Sequence, residues 1–266
     1  MRPDVLALKA FYASPLGDKA AAAIASALPE AKPGERVLVL GYGVPYVHTI
    51  ARDAERIVAA MPARQGAIAL SYSNIQAPKC KTANPAKGAA TNVSCLTDVE
   101  DLPFPDAMFD YVLLVHCLEF SGRVGTTLME IARVLAPGGQ VYAVVPNRLG
   151  AWSRADATPF GNGRPFSARQ LSALMREAGL TPCAWNVALM LPPFKALGRW
   201  LNTAERPGRL IWPRFGGVFV VTAKKEVFAA KLKPKTGLAA QVPLRVPAFA
   251  PAAVAMEPKG AAARSG

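Results

Sequence analysis

The sequence predicts an α/β protein, a doubly wound and mostly parallel sheet of seven strands with helices on both faces. Two observations carry this reading. Apolar runs of strand length alternate with amphipathic segments of helix length from about residue 35 to residue 180, and several of those runs have no polar alternation, as expected for strands buried on both faces. With 266 residues, 52% of them apolar, the chain is long enough for one substantial core.

The first strand, Arg36 to Leu40, lies between Pro33-Gly34 and Gly41. A short helix over Pro45 to Asp53 follows, with its proline at a first-turn position where the missing N–H costs nothing. Arg56 to Met61 and Val93 to Leu96 form the second and third strands, separated by a long polar stretch containing Pro78, Asn84, Pro85 and Gly88. Phe109 to Val115 is the fourth, of buried central type. A helix from Val124 to Leu135 presents Leu128, Ile131, Ala132 and Leu135 on one face, and Pro137-Gly138-Gly139 stops it before a fifth strand, Gln140 to Val145. A Gly/Pro-rich loop over 147–165 leads to a helix capped by Ser167 and ending near Gly179. Cys183 to Met190 and Gly217 to Ala223 complete the sheet, on either side of a basic, tryptophan-containing segment. From Phe228 onward the chain is rich in Ala, Pro and Lys without periodicity and is expected to be a disordered tail. The organisation is thus a helical cap (1–33), the α/β domain (34–227) and the tail (228–266).

Composition narrows the partners. The net charge is +13, but eight basic and two acidic residues lie from Lys224 onward, which leaves +7 on the first 223 residues. Those charges are scattered, with no interleaved Arg and aromatic run, which argues against nucleic acid and for a solvated basic surface. The four cysteines show no CxxC spacing, and no His/Cys/Asp/Glu set has metal-ligand spacing, so no metal is expected. Neither a leader nor a membrane-spanning run is apparent. The expected location is the cytoplasm, with a small-molecule substrate and room for a protein partner.

A strand ending in Gly41-Tyr42-Gly43 and feeding a helix sets backbone N–H groups beside the carboxyl edge of a parallel sheet, where doubly wound folds bind ligands. Alone this is weak, since Gly-x-Gly also makes ordinary turns. Three further segments add to it: Glu100-Asp-Leu-Pro-Phe-Pro-Asp-Ala-Met-Phe-Asp110, then Tyr111-Val-Leu-Leu-Val-His-Cys-Leu-Glu119, then Glu130-Ile-Ala-Arg-Val-Leu-Ala-Pro-Gly-Gly139. In this order they resemble the class I small-molecule methyltransferases of the ubiquinone/menaquinone-methyltransferase-like group, over roughly Arg36 to Gly179.

The resemblance implies a Rossmann-like seven-stranded sheet with the last strand antiparallel. It also implies S-adenosyl-L-methionine (SAM) bound across the ends of strands one to four, and methyl transfer to a separate acceptor. Carried onto this chain, Gly41, Tyr42 and Gly43 would face the methionine part of SAM, Asp98 and Val99 would lie beside the adenine, Met61 would meet the ribose, and Val115 with His116 would line the floor. Three positions depart from the family: Val39 and Met61 stand where acids are usual, and Pro45 replaces a glycine. Methionine offers the ribose hydroxyls no useful acceptor, a loss of roughly 1.5 to 3 kcal/mol in binding. The same gap argues against a nicotinamide cofactor, and Tyr46 stands where the third glycine of that fingerprint belongs.

On the acceptor side, His116 at the end of the fourth strand is placed to take a proton from a hydroxyl or enol, with Glu119 to orient it or act alone. A packed strand-end histidine is the alternative. Tyr12, before the fold, can reach into the pocket, and Arg148 and Arg164 on the glycine-rich rim can meet an anionic acceptor. Two readings follow: a SAM-dependent methyltransferase acting on a small molecule at oxygen or carbon, or a non-catalytic binding or regulatory protein that keeps the fold without the ribose-binding acid.

Overall fold

A computed structural model describes residues 3–50, 52–66, 93–190, 192–193 and 216–226. The expected tail, the polar stretch over 67–92 and most of the basic segment after Met190 lie outside the described residues. The elements, in order, are α1 (Val5–Tyr12), α2 (Pro15–Ala25), β1 (Arg36–Gly41), α3 (Val44–Ile50), β2 (Arg56–Pro62), β3 (Val93–Thr97), β4 (Phe109–Val115), α4 (Val124–Val134), β5 (Leu135–Pro146), α5 (Ala168–Glu177), β6 (Leu180–Ala188) and β7 (Val218–Lys225). Single 3₁₀ turns at Leu118–Phe120, Ala151–Arg154 and Pro159–Gly161 punctuate the loops.

The seven strands form one sheet in the order β3-β2-β1-β4-β5-β7-β6. Pairings from β3 through β5 are parallel, and β7 runs antiparallel to both of its neighbours. After β1 the chain steps outward to β3 and then returns to β4. The carboxyl ends of β1 and β4 therefore flank the point where the winding reverses, the ligand-binding crevice of such sheets.

Successive side chains of a strand point to opposite faces, and β1 shows how this splits the core. Val37 and Val39 join Ile24, Tyr46 and Val47 on the side of α2 and α3, whereas Leu38 and Leu40 join Leu128, Ile131, Leu171 and Met175 on the side of α4 and α5. Helix starts follow their caps. Asp4 accepts from the Ala7 N–H at 2.7 Å, Ser14 caps α2 ahead of Pro15, and Ser167 caps α5 as expected.

Two of the motifs are fastened to each other. Arg133 on α4 donates to the carbonyls of Leu102 and Phe104 and to Asp106, and it is also paired with Glu130. The Glu130 carboxylate in turn accepts from the Leu102 N–H at 3.0 Å. The Leu102-Pro-Phe-Pro-Asp106 turn is thereby clamped onto α4, so its residues serve the architecture before β4.

Several boundaries differ from the sequence expectation. The helix after β1 ends at Ile50 and does not reach Asp53; Ile50 is buried and its carbonyl accepts from the Ala31 N–H at 2.6 Å. Helix α4 stops at Val134, ahead of Pro137-Gly138-Gly139. Leu135 is already extended and pairs with Phe109, so β5 begins five residues earlier than expected and the Pro-Gly-Gly segment sits at an irregularity inside it. Proline after Ala136 favours that extended conformation. Strand β6 runs Leu180–Ala188, three residues earlier than expected at its start, and β7 extends to Lys225, because Thr181 pairs with Lys224 and Leu180 with Lys225.

Arg36 and Asp110 join the amino ends of β1 and β4 through two guanidinium bonds of 2.8 and 3.0 Å, with a third from the Arg36 N–H. The hydrogen bonds from Arg36 hold the Asp110 carboxyl below its ordinary value of 3.8. Folding then favours the ionised form, so the pair's contribution is present above pH 3.8 and is lost as pH falls below it through the lowered value. In urea unfolding, the stability gap between wild type and Asp110→Asn should shrink through that acid window. A gap independent of pH would contradict this.

Candidate active site

The chain turns sharply where β1 ends. Gly41 has φ +88°, and a Cβ there would lie 2.1 Å from the Val115 carbonyl oxygen, so β1 and β4 approach more closely than any side chain allows. The Tyr42 N–H donates to that same oxygen at 2.9 Å. At Gly43 the hollow left by the missing side chain is filled from within: a Cβ would stand 2.1 Å from Val39 Cγ1. Val39, in the place of an acid, is thus a packing residue seated under the turn. Gly43→Ala should cost about 1–3 kcal/mol by overpacking. Adding Val39→Ala should recover a measurable part of that loss in a denaturant double-mutant cycle, whereas simple additivity would show that the two side chains do not compete.

His116 follows β4 directly, fully buried and in the left-handed region at φ +52°. Its Nδ1 lies 3.1 Å from Glu119 Oε1, and its Nε2 lies 2.9 Å from the Tyr12 hydroxyl, which is 3.0 Å from the Tyr46 hydroxyl. If Nδ1–H donates to the Glu119 carboxylate, Nε2 accepts from Tyr12 and the chain Tyr46, Tyr12, His116, Glu119 is satisfied in one direction. Glu119 Oε2 is buried with no hydrogen-bond partner among the described residues. Burial, with Tyr46 and Glu119 adding, pushes the Tyr12 phenol well above its ordinary 10, so it is neutral at physiological pH. The Gln65 side-chain amide donates to the His116 carbonyl at 2.9 Å, and the Gln65 carbonyl accepts from the Val5 N–H at 3.0 Å.

The predicted site residues other than Met61 fall into three groups. His116, Glu119, Tyr12, Tyr42, Gly41, Gly43 and Val115 come together at the ends of β1 and β4. Asp98 and Val99 lie at the end of β3 in a separate cleft of about 130 Å³, shared with Pro62, Thr97, Cys117 and Ser121. The exposed Asp98 carboxylate accepts from the Glu100 N–H at 3.0 Å, closing a local turn. Arg148 and Arg164 are exposed on the rim, where Arg148 donates to Gln170 at 3.0 Å.

Met61 occupies the expected position at the end of β2, but it does not face an open space. It is 4% exposed and packs in an apolar cluster with Val5, Leu8 and Tyr42. Sequence reasoning did not find Tyr46, Gln65 or Phe160, whose ring packs 4.7 Å from that of His116. Tyr46 and Phe160 carry no pattern beyond apolar burial. Gln65 sits in an unmarked turn after β2.

A family model described as a methyltransferase domain matches residues 54–143, which run from β2 through the clamped motifs into β5. Over those residues the chain is similar to methyltransferase domains. In fold it also resembles a chain of the complex between the Haloferax volcanii Trm112 methyltransferase activator and a methyltransferase. That likeness has a TM-score of 0.52 at 21% identity, covering 80% of this chain and 92% of that one. Among curated proteins, the 27-O-demethylrifamycin SV methyltransferase of Amycolatopsis mediterranei is 32% identical over 117 residues, 41% of each chain. The ubiquinone/menaquinone biosynthesis C-methyltransferase UbiE of Cupriavidus necator is 41% identical over 58 residues, 22% of this chain and 24% of its own. The chain thus spans less than half the length of the curated relatives it matches.

The methyltransferase-domain match and the fold imply SAM as cofactor, and the residues would fit its two halves unequally. The Asp98–Val99 cleft, with an exposed carboxylate beside a buried apolar wall, suits an adenine ring. Where the ribose is expected, Met61 provides no acceptor and the helix α1 covers it. Among the described residues no helix is long and apolar enough to cross a membrane.

Proposed function

We propose that the chain transfers a methyl group from SAM to a small-molecule acceptor, at oxygen or carbon. The observation that carries this reading is the buried Tyr12–His116–Glu119 chain at the carboxyl end of β4. A histidine and a carboxylate are costly to bury without a task, and here they stand at the crevice where the sheet's winding reverses. The names of the relatives, an O-methylating enzyme on rifamycin and a C-methyltransferase of quinone biosynthesis, support oxygen or carbon as the site of transfer.

When bound, SAM supplies an electrophilic methyl group. In this reading Asp98 and Val99 hold the adenine, and Gly41, Tyr42, Gly43 and Val115 form the wall beside the methionine part. Glu119 fixes His116 with its proton on Nδ1, which leaves the Nε2 lone pair to accept a proton from an acceptor hydroxyl or enol. Such an acceptor takes the place of the Tyr12 hydroxyl. Arg148 and Arg164 at the rim favour an acceptor carrying negative charge. Most of the rate would come from alignment in a dry site.

The test is incubation of the protein with methyl-labelled SAM and a small-molecule extract. Label should appear in a low-molecular-weight product and fall sharply with His116→Ala, and absence of any transfer to the extract would overturn the reading. A second reading, a non-catalytic protein on the same fold, is favoured by Met61 and Val39. It expects neither transfer nor SAM binding.

A further inference from the structure

The space bounded by the glycine turn, the end of β2 and the end of β4 is filled by side chains of α1. Val5 and Leu8 pack on Tyr42 and Met61. One turn further along, the Tyr12 ring stacks on Tyr42 at 5.5 Å and 16°, and its hydroxyl reaches both Tyr46 and His116. The helix is held at its other end by the Val5 N–H on the Gln65 carbonyl, and the Gln65 side chain holds the His116 carbonyl. Apart from the Tyr12–Tyr46 bond, every contact of α1 just named is made to a residue that the cofactor or acceptor site would use, or to the Gln65 turn next to it.

We infer that α1 is a self-docked plug: it occupies the ribose and methionine half of the cofactor site, and SAM or its product S-adenosylhomocysteine (SAH) binds only to molecules in which α1 has lifted. This inference rests on the proposed use of SAM. The methionine at position 61 follows from it, because the residue that α1 covers must be apolar for the helix to dock, and an acid there would be buried against Val5 and Leu8 without a partner. Docking and cofactor binding compete for one surface, so the apparent dissociation constant is the intrinsic one divided by the fraction of undocked chains. Weakening the docked state therefore tightens cofactor binding. That sign is opposite to the one expected if Leu8 and Tyr12 were part of the wall around bound cofactor. Gln65 links the two halves of the device, since the same residue anchors α1 and fixes the carbonyl of His116.

The experiment is calorimetric titration of the full chain with SAH, for wild type, Tyr12→Phe and Leu8→Ala, alongside amide hydrogen exchange over residues 5–12. Tyr12→Phe removes only a hydroxyl, and circular dichroism checks that both variants retain the fold. Expected are a gain in SAH affinity of about five-fold for Tyr12→Phe, a gain of about ten-fold or more for Leu8→Ala, and faster exchange of the α1 amides when SAH is present. If SAH binds wild type but both variants bind it more weakly, or the α1 amides stay protected in the complex, the plug is overturned while the use of SAM stands. If none of the three proteins binds SAH at millimolar concentration, the use of SAM fails and the plug fails with it.

Discussion

Gly41→Ala should lower the stability of the chain by about 3 kcal/mol or more, the sum of a left-handed backbone strain and an overpacking term. The residue holds φ +88°, and the added methyl would stand 2.1 Å from the Val115 carbonyl oxygen, which is main chain and has no rotamer to yield. That oxygen also accepts the Tyr42 N–H, and Gly41 pairs with Val115 at the end of the central β1–β4 ladder. Relief would have to come by spreading the two strands at the sheet's most buried point. The check is the denaturant midpoint at constant slope. A loss below about 1 kcal/mol, the scale of an ordinary exposed glycine change, would show that the turn is looser than the geometry states.

Glu119→Gln should leave the fold intact and slow methyl transfer by about a hundred-fold, the lower end of what a positioned acid–base group supplies. Glu119 is buried, with one oxygen on His116 Nδ1 and the other without a partner among the described residues. Removing that charge costs little or even stabilises, because an incompletely bonded buried carboxylate is expensive. The chemical consequence is larger. The amide has no charge to stabilise the imidazolium that forms when Nε2 takes a proton, and with its N–H turned to Nδ1 it also moves the ring proton to Nε2, the nitrogen that has to accept one. The chain has two histidines, and His48 is exposed on α3, so imidazole nitrogen NMR reads the tautomer of His116 with an internal reference. An unchanged tautomer together with an unchanged rate would remove Glu119 from the reaction.

The sequence made the sheet legible because its signals were those of burial. Phe109 to Val115 is apolar apart from Asp110 near its start and forms β4 with those limits, and the Leu102-Pro-Phe-Pro-Asp106 turn is distinctive because Arg133 and Glu130 need its carbonyls and N–H in place. Those same motifs identify the fold without identifying the reaction, since their polar groups are spent on one another. The start of β5 was less legible. Pro-Gly-Gly reads as a stop, and only the pairing of Leu135 with Phe109 shows that the strand begins before it.

At the site, His116 with Glu119 to orient it, and Tyr12 reaching inward, were legible as polar residues near one sheet edge. The joining of Tyr12 and Tyr46 to that pair in one hydrogen-bonded chain was not, because it needs the left-handed backbone of His116 and the docking of a helix more than a hundred residues away. Met61 was legible as a departure from the family, but its meaning was not. The apolar partners that explain it, Val5 and Leu8, lie on α1 and carry no motif. The position of a missing acid is visible in a sequence, whereas what fills its place is a tertiary fact.

The most direct measurement of the central claim, that this domain holds SAM across the ends of its parallel strands, is an amide NMR titration of the full chain with SAH. Saturable shifts are predicted at Gly41, Tyr42 and Gly43, at Asp98 and Val99, and along α1 as it leaves its seat. No shift at any of these positions with SAH in large excess would contradict the claim.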